Sequence, residues 1–336
     1  MNLTPTLPGY RESYESAAIF DRSAVAKLEI SGPDAPKFLT NLCTNELQQL
    51  PLGGGCEAYF LDHRAKTLFQ TSAYHVMLSG NRHAIWLETV PGYGTKLLKH
   101  LDRYLISEAV ELRDVTEAFG QMHLAGPHAK AVIEVAIGEP IPELGEFMHM
   151  DRTFGAGSVC NIRRRDHLGV SGYDIVCLKE KFRGVWQMLV AAGAVIGDDA
   201  TYETRRVEAG TPVYGTDIDE SRFVMEIANV QRAICYTKGC FIGQEPIIMS
   251  RDRAGFVSRA FLGMKILEGD TLPSGTKLFR DGQEIGLVTS SVFSPKHDAP
   301  IAIGYIRRPH HDAGLKFEAD TPDGKRAVEL IGHMPR

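Results

Sequence analysis

The chain has 336 residues, 37 basic against 42 acidic side chains for a formal charge of −5, and 43% hydrophobic residues, which excludes disorder and collagen and suits a soluble globular chain of about two domains. No run approaches the roughly 18 consecutive apolar residues that a membrane-spanning helix needs, and Arg11, Glu12 and Glu15 interrupt the place of a signal peptide's apolar core, so a cytoplasmic protein with no membrane partner is expected. The acidic balance argues against a chain devoted to gripping phosphate backbones, and six scattered cysteines without a C-x-x-C pair are expected as reduced thiols.

In chain order, Ala26-Lys27-Leu28-Glu29-Ile30 alternates apolar and charged side chains and predicts a half-buried strand, turned by Ser31-Gly32-Pro33-Asp34 into a short helix. From Glu57 to Trp86 several strands are broken at Asp62-His63-Arg64 and Ser79-Gly80-Asn81-Arg82, which predicts an antiparallel meander. Leu97, Leu98, Leu101 and Leu105 then form one helical face, with Lys96, Lys99 and Arg103 toward water. Met122-His123-Leu124 followed by Gly126-Pro127 and a helix over Ala129 to Ile137 repeats the opening strand–turn–helix unit, which points to two similar α+β halves rather than a doubly wound sheet. Further helices are predicted from Phe182 to Ala191, with Phe182, Val185, Trp186, Leu189 and Val190 inward, and from Ala200 to Ala209, opened by Asp198-Asp199 and closed by Gly210. Beyond Arg259, short strands with glycine-bearing turns at Gly269, Gly275, Gly282 and Gly304 predict a small β-barrel or sandwich.

Several chemistries lack their motifs. There is no GxGxxG, GxxxxGK[ST] or GxSxG, and Gly53-Gly54-Gly55 falls between strands, where a flexible turn explains it. The twelve histidines show no HExxH or HxH spacing, so no metal is expected. The basic runs Arg163-Arg164-Arg165 and Arg251-x-Arg253, the latter with Arg259 nearby, read as solvated faces.

One stretch is far more specific: Arg206-Val207-Glu208-Ala209-Gly210, continuing through Thr211-Pro212-Val213-Tyr214-Gly215 to Glu220, and then Lys238-Gly239-Cys240-Phe241-Ile242-Gly243-Gln244-Glu245. In these residues the chain resembles the YgfZ branch of the glycine-cleavage T-protein superfamily. Ile30-Ser31-Gly32-Pro33, Thr44-Asn45, Phe60-Leu61, Gly286 to Ser290 and Ala302 to Tyr305 extend the resemblance over nearly the whole chain. It implies an α+β protein, a three-domain cloverleaf of T-protein type with a small C-terminal β-barrel. The expected domains are 1–50 with 117–235 for folate binding, 51–116 with 236–256 carrying the signature, and 257–336 for the barrel.

The resemblance further implies tetrahydrofolate or a derivative as cofactor. Glu208 matches the carboxylate that holds the pterin edge, a task suited to a partly buried acceptor of paired N–H donors; Arg206 or Arg205, Tyr202 and Gln244 are further candidate folate contacts. Cys240, between Lys238 and Gln244, is the candidate reactive thiol, since a nearby lysine lowers a thiol pKa. The enzyme branch carries an Asp-Asp pair where this chain has Phe69-Gln70, and usually an Arg where it has Gln244. A neutral amide cannot take a proton at neutral pH, which speaks against conventional aminomethyl transfer unless Asp62 compensates. The leading expectation is therefore a folate-binding accessory protein supporting iron–sulfur client proteins, with tRNA modification as a related role. The alternative is a folate-dependent aminomethyl or methyl transferase.

Overall fold

The strand Ala26–Ser31 forms as its alternation predicts, but both of its faces are buried. Lys27 is fully enclosed because its ammonium donates to the carbonyls of Ser23 (3.1 Å) and Val25 (2.8 Å). On the same face Glu29 accepts the Trp86 indole N–H at 3.4 Å. Burial, opposed by the nearby Glu88 carboxylate, holds the Lys27 pKa below its ordinary value. Alternation thus marks two differently packed faces here, not one wet and one dry.

The computed structural model describes residues 6–155, 157–254 and 257–334. They divide into two units. The first comprises the chain up to Phe60, Phe69–Tyr202 and Arg232–Phe241; the second comprises Leu61–Leu68, Glu203–Gln231 and the chain from Ile242 onward.

The first unit contains two sheets. One has the strand order Gly55–Leu61, Thr67–Leu78, Arg82–Thr89, Ala26–Ser31, Glu111–Asp114, the meander expected between Glu57 and Trp86. The other runs Val195–Ile196, Ala18–Asp21, Phe119–Ala125, Gly172–Leu178, Ser158–Arg164, His149–Phe154. In the second sheet only Ala18–Asp21 with Val195–Ile196 pairs parallel. Helices Ala129–Ile137 and Lys179–Ala191 cover that sheet, placing Ile133, Val185 and Leu189 on Ile19, Leu124, Ile162 and Ile175. Each such burial contributes about 1.5–3 kcal/mol. The repeated Gly-Pro turns are required sterically: a Cβ on Gly32 would sit 2.1 Å from the Ala109 carbonyl oxygen, and one on Gly126 2.3 Å from that of Ser16.

Three expectations are corrected. The helix Gly94–Asp102 ends before Leu105, leaves Leu98 half-buried, and buries His100 instead, against the rings of Phe60 and Phe69. The run Arg163-Arg164-Arg165 is not a solvated face: Arg163 is fully buried at the end of an interior strand, ion-paired with Glu88 and stacked 4.2 Å over Tyr74. A strand interior offers no solvated side at that position, so the charge is retained by pairing. Gly304 lies inside strand Ala299–Arg307, not in a turn, because a Cβ there would meet the Leu287 carbonyl oxygen at 2.1 Å.

The second unit is built around a closed barrel with the order Arg259–Ile266, Ala299–Arg307, Gln283–Ser294, Lys277–Arg280, Lys316–Thr321, Gly324–Gly332. Its interior is filled by Leu262, Met264, Leu278, Val288, Ile306, Val328 and Leu330, and closure removes the exposed edges that an open sheet of this size would carry. No helix among the described residues is long and apolar enough to cross a membrane.

One buried histidine makes the first unit acid-sensitive. His149 accepts the Asn161 amide N–H at Nδ1 (3.0 Å) and donates from Nε2 to the His75 carbonyl (3.1 Å). Burial, reinforced by the Arg163 guanidinium, pushes its pKa down from 6.5 to about 4. A histidine kept neutral in the folded state contributes stability that is fully present above its unfolded value of 6.5 and is lost as pH falls toward 4. The urea midpoint is therefore expected to drop between pH 6.5 and 4 by an amount worth on the order of 2–3 kcal/mol. His149→Gln is expected to flatten that dependence, and an equally steep slope in the variant would remove His149 as its source.

Candidate functional site

The helix Asp199–Glu208, whose residues from Glu203 onward belong to the second unit, delivers the three charged side chains singled out in the sequence. Asp198 caps it, accepting the Thr201 N–H at 2.8 Å, and Gly210 follows its end in a left-handed conformation (φ 63°). Glu208 is buried. Its Oε1 accepts the Ser294 hydroxyl at 2.5 Å and its Oε2 lies 3.3 Å from Arg205 Nη1. Arg206 is equally buried and spends its donors within the unit, on Glu203, the Thr211 carbonyl (3.1 Å), Asp217 (2.7 Å) and Ser290 (2.7 Å). Asp217 in turn accepts the hydroxyls of Thr289 (2.5 Å) and Ser290 (2.7 Å) and the Val213 N–H (3.0 Å). Arg206 thus joins the Ala209–Gly215 segment to the barrel strand Gln283–Ser294.

Gly243 is the glycine the signature requires: φ is 83° and a Cβ would lie 2.6 Å from the Asp62 carbonyl oxygen. Gln244 and Glu245 open the short helix Gln244–Met249, half-buried and exposed respectively. Asp62 accepts the N–H groups of Arg64 and Lys66, both at 2.8 Å, and so serves the hairpin turn. Arg251 is ion-paired with Asp252, Arg259 lies within electrostatic reach of Glu226 and Glu284, and the side chain of Arg253 is outside the described residues.

In the first unit, the signature loop is anchored through Lys238. Its ammonium donates to the carbonyls of Thr40, Cys43 (2.6 Å) and Asn45 (2.9 Å) at the end of helix Ala35–Leu42, and lies 4.6 Å over the Phe241 ring. The lysine charge is spent there, with Cys43, Glu46, Cys235 and Cys56 as electrostatic neighbours. Cys240 is exposed. Gly239 has open space where a Cβ would go, so no tight turn depends on it. Sequence reasoning missed Cys235. Partial burial works to raise its pKa, but the Thr237 hydroxyl at 3.5 Å and the N–H groups of Thr237 and Lys238 outweigh this and hold the thiol below its ordinary value. Tyr202 hydrogen-bonds His167 through its hydroxyl and carries Arg22 4.0 Å over its ring.

The more consequential miss is Glu57. It stands on strand Gly55–Leu61, buried, and its Oε1 accepts the Gln70 amide (3.0 Å) and the Tyr59 hydroxyl (3.2 Å) while Oε2 accepts Arg232 Nε (2.7 Å). Burial favours the acid form, but Arg232, the Gln70 amide and Arg165 outweigh it and hold the carboxyl below its ordinary pKa. Arg232 also pairs with Glu146 at 3.0 Å. Phe147 stacks under both guanidiniums, 4.5 Å from Arg165 and 5.5 Å from Arg232. Its φ of 67° is left-handed, a conformation that costs a non-glycine residue about 1–3 kcal/mol. Among the described residues, Nε and Nη1 of Arg165 are buried without a hydrogen-bond partner, although Nε lies 3.7 Å from the Asp174 carboxylate as an ion pair. Thr44 and Asn45 hold this arrangement: Thr44 donates to the Ala233 carbonyl (2.6 Å), and the Asn45 amide donates to the carbonyls of Glu57 (2.8 Å) and Arg232 (3.2 Å). The signal available in the sequence was Arg232, conspicuous beside the apolar Val230, Ala233 and Ile234. A surface cleft of about 430 Å³ lined by Asp34, Lys37, Asn41, Tyr104 and Glu108 shares no residue with either cluster.

Residues 10–238 match the GCVT N-terminal domain, and residues 259–335 match the glycine cleavage T-protein C-terminal barrel domain. The chain is 25% identical over 311 residues to an aminomethyltransferase of Desulforamulus reducens, covering 90% of this chain and 82% of that one. It is 24% identical over 311 residues to an aminomethyltransferase of Caldanaerobacter subterraneus, covering 90% and 80%. In fold it is similar to the glycine cleavage system aminomethyltransferase T from Bartonella henselae, with a TM-score of 0.81 at 22% identity over 97% of this chain and 88% of that one. With its α+β body and closed six-stranded barrel, the chain belongs to the glycine-cleavage T-protein superfamily.

Proposed function

We propose that the chain binds tetrahydrofolate or a derivative and transfers a one-carbon unit to or from it, as an aminomethyl or methyl transferase. The observation that carries this reading is that the family match spans both the N-terminal domain and the barrel, in a chain whose relatives are named aminomethyltransferase. The donor set fits the ligand. A reduced folate offers N–H donors along its pterin edge, and the second unit holds a buried carboxylate at Glu208 of the kind that accepts them. When bound, the folate supplies the amine that carries the one-carbon unit; the protein's part is to hold it, orient it and place charge beside it.

The test is calorimetric titration of tetrahydrofolate, under reducing and anaerobic conditions, into the native protein and into Glu208→Gln and Glu208→Ala. The expected result is binding by the native protein that weakens at least tenfold in the variants, a loss of about 1.4 kcal/mol or more. Absence of binding to the native protein would remove the folate reading.

Binding without turnover would favour a second reading, a YgfZ-type accessory role in assembly or repair of iron–sulfur proteins. The observation behind it is the exposed thiol of Cys240 within the Lys238-to-Glu245 run. A tRNA role has less to rest on, because acidic neighbours offset Arg251 and Arg259.

A further inference from the structure

We infer that Glu57 is the carboxylate that faces the reacting amine, standing in for the acidic residue that the strand position of Gln70 lacks. This rests on the one-carbon transfer reading and deepens it. Four observations converge on Glu57. It lies on the strand next to Gln70 and touches it directly, with the Gln70 amide donating to Oε1 at 3.0 Å, so a carboxylate is present where the neighbouring strand offers only an amide. Its own oxygens are unevenly used: among the described residues Oε1 accepts both Gln70 and Tyr59, whereas Oε2 accepts Arg232 alone. A carboxylate oxygen accepts two hydrogen bonds, so Oε2 keeps one lone pair for a ligand N–H.

The surroundings fix the charge state as well as the position. Arg232 pairs directly with Glu57, while Arg165, ion-paired with Asp174 at 3.7 Å, adds a second positive charge within electrostatic reach, and both guanidiniums lie over the Phe147 ring. The strained backbone of Phe147 is the kind of local cost that recurs where a site must be held in one geometry. Asp62, the other acidic residue considered for this task, is committed to the turn that follows Leu61. Of the remaining buried carboxylates in the first unit, Glu29 accepts the Trp86 indole N–H, Glu88 is ion-paired with the fully buried Arg163, and Asp174 is bonded to His123. None of the three touches Gln70 in any hydrogen bond described for it.

An anion here supplies charge rather than a proton. An amine nitrogen that forms a bond to an incoming carbon becomes positively charged until its proton leaves, and a preorganised negative charge beside it lowers the cost of that state. In the overall transfer to methylenetetrahydrofolate two N–C bonds would form from two folate amines, the two bonds from that carbon to the donor's leaving groups would break with their electron pairs, and one amine proton would depart with each leaving group. Glu57 neither gains nor loses an atom.

The experiment compares the native chain with Glu57→Gln, Gln70→Glu and the exchange variant Glu57→Gln/Gln70→Glu. It has three readouts: calorimetric affinity for tetrahydrofolate, the carbon-13 carboxyl signal of Glu57 on adding tetrahydrofolate, and turnover of an aminomethyl donor to methylenetetrahydrofolate. In the native protein the Glu57 signal is expected to shift on folate addition. Glu57→Gln is expected to lose about 100-fold in kcat beyond any change in folate affinity, and the exchange variant, which returns the carboxylate on the other strand, to regain at least about tenfold of that loss. A purely structural role would not be rescued by the exchange. If the native protein binds folate and turns over but the Glu57 signal stays fixed, or Glu57→Gln keeps full kcat, the assignment of Glu57 is overturned while the transferase reading stands. If the native protein binds no folate or shows no turnover, the transferase reading falls and takes this assignment with it.

Discussion

Arg163→Met is expected to lower the stability of the first unit by about 3–5 kcal/mol, read as a fall in the urea midpoint. Arg163 is fully buried, pairs with Glu88, donates from Nε to the Asn161 side chain at 2.6 Å, and stacks 4.2 Å over Tyr74 and 5.4 Å from Trp86. Methionine keeps part of the ring contact but leaves the Glu88 carboxylate buried without its arginine. The desolvation cost of that carboxylate, rather than the lost attraction, sets the size of the effect. It follows that removing both charges should be far milder than removing one: Arg163→Met/Glu88→Leu is expected to recover at least half of the loss. A double variant as unstable as the single one would show that packing around the guanidinium, not charge, dominates.

In the second unit, Asp217→Ala is expected to cost about 3–5 kcal/mol, because it strands the buried Arg206 guanidinium and releases the hydroxyls of Thr289 and Ser290 and the N–H of Val213 together. Asp217→Asn keeps the shape but turns an amide NH2 toward groups that are already donors, so it is expected to cost a smaller amount, about 1–3 kcal/mol. The check is the denaturant midpoint of both variants with far-ultraviolet circular dichroism. If Asp217→Ala falls within 0.5 kcal/mol of the native protein, the network would be decoration rather than the tie between the Arg206 helix end and the barrel strand.

These two networks mark where linear reading succeeds and where it stops. The helices at Ala129–Ile137 and Lys179–Ala191 were legible because a 3.6-residue period survives any tertiary arrangement that buries one face. The barrel strands were legible because short alternating runs between glycine turns have few other uses. Arg163 and Lys27 were misread because periodicity reports which residues share a face, not whether that face meets water. A second layer packed on the polar side turns a solvated pattern into a buried one, provided each charge finds a partner.

For the candidate site the division is sharper. The sequence by itself determined the two strand–Gly-Pro–helix units, the β-rich tail and, through the Arg206-to-Gly210 and Lys238-to-Glu245 runs, the superfamily, because these depend on local spacing and on residue identities held along the chain. It also exposed the missing acidic residue at Phe69-Gln70. Only the tertiary structure shows which side chains surround Gln70. Glu57, Gln70 and Arg232 are separated by as many as 175 residues and come together through strand pairing and the loop tied down by Thr44 and Asn45. Whether a carboxylate is solvated or buried, and which cation holds its charge, is settled by those long-range contacts, since the cost of burying an ion and the attraction that offsets it both depend on neighbours that no local pattern encodes.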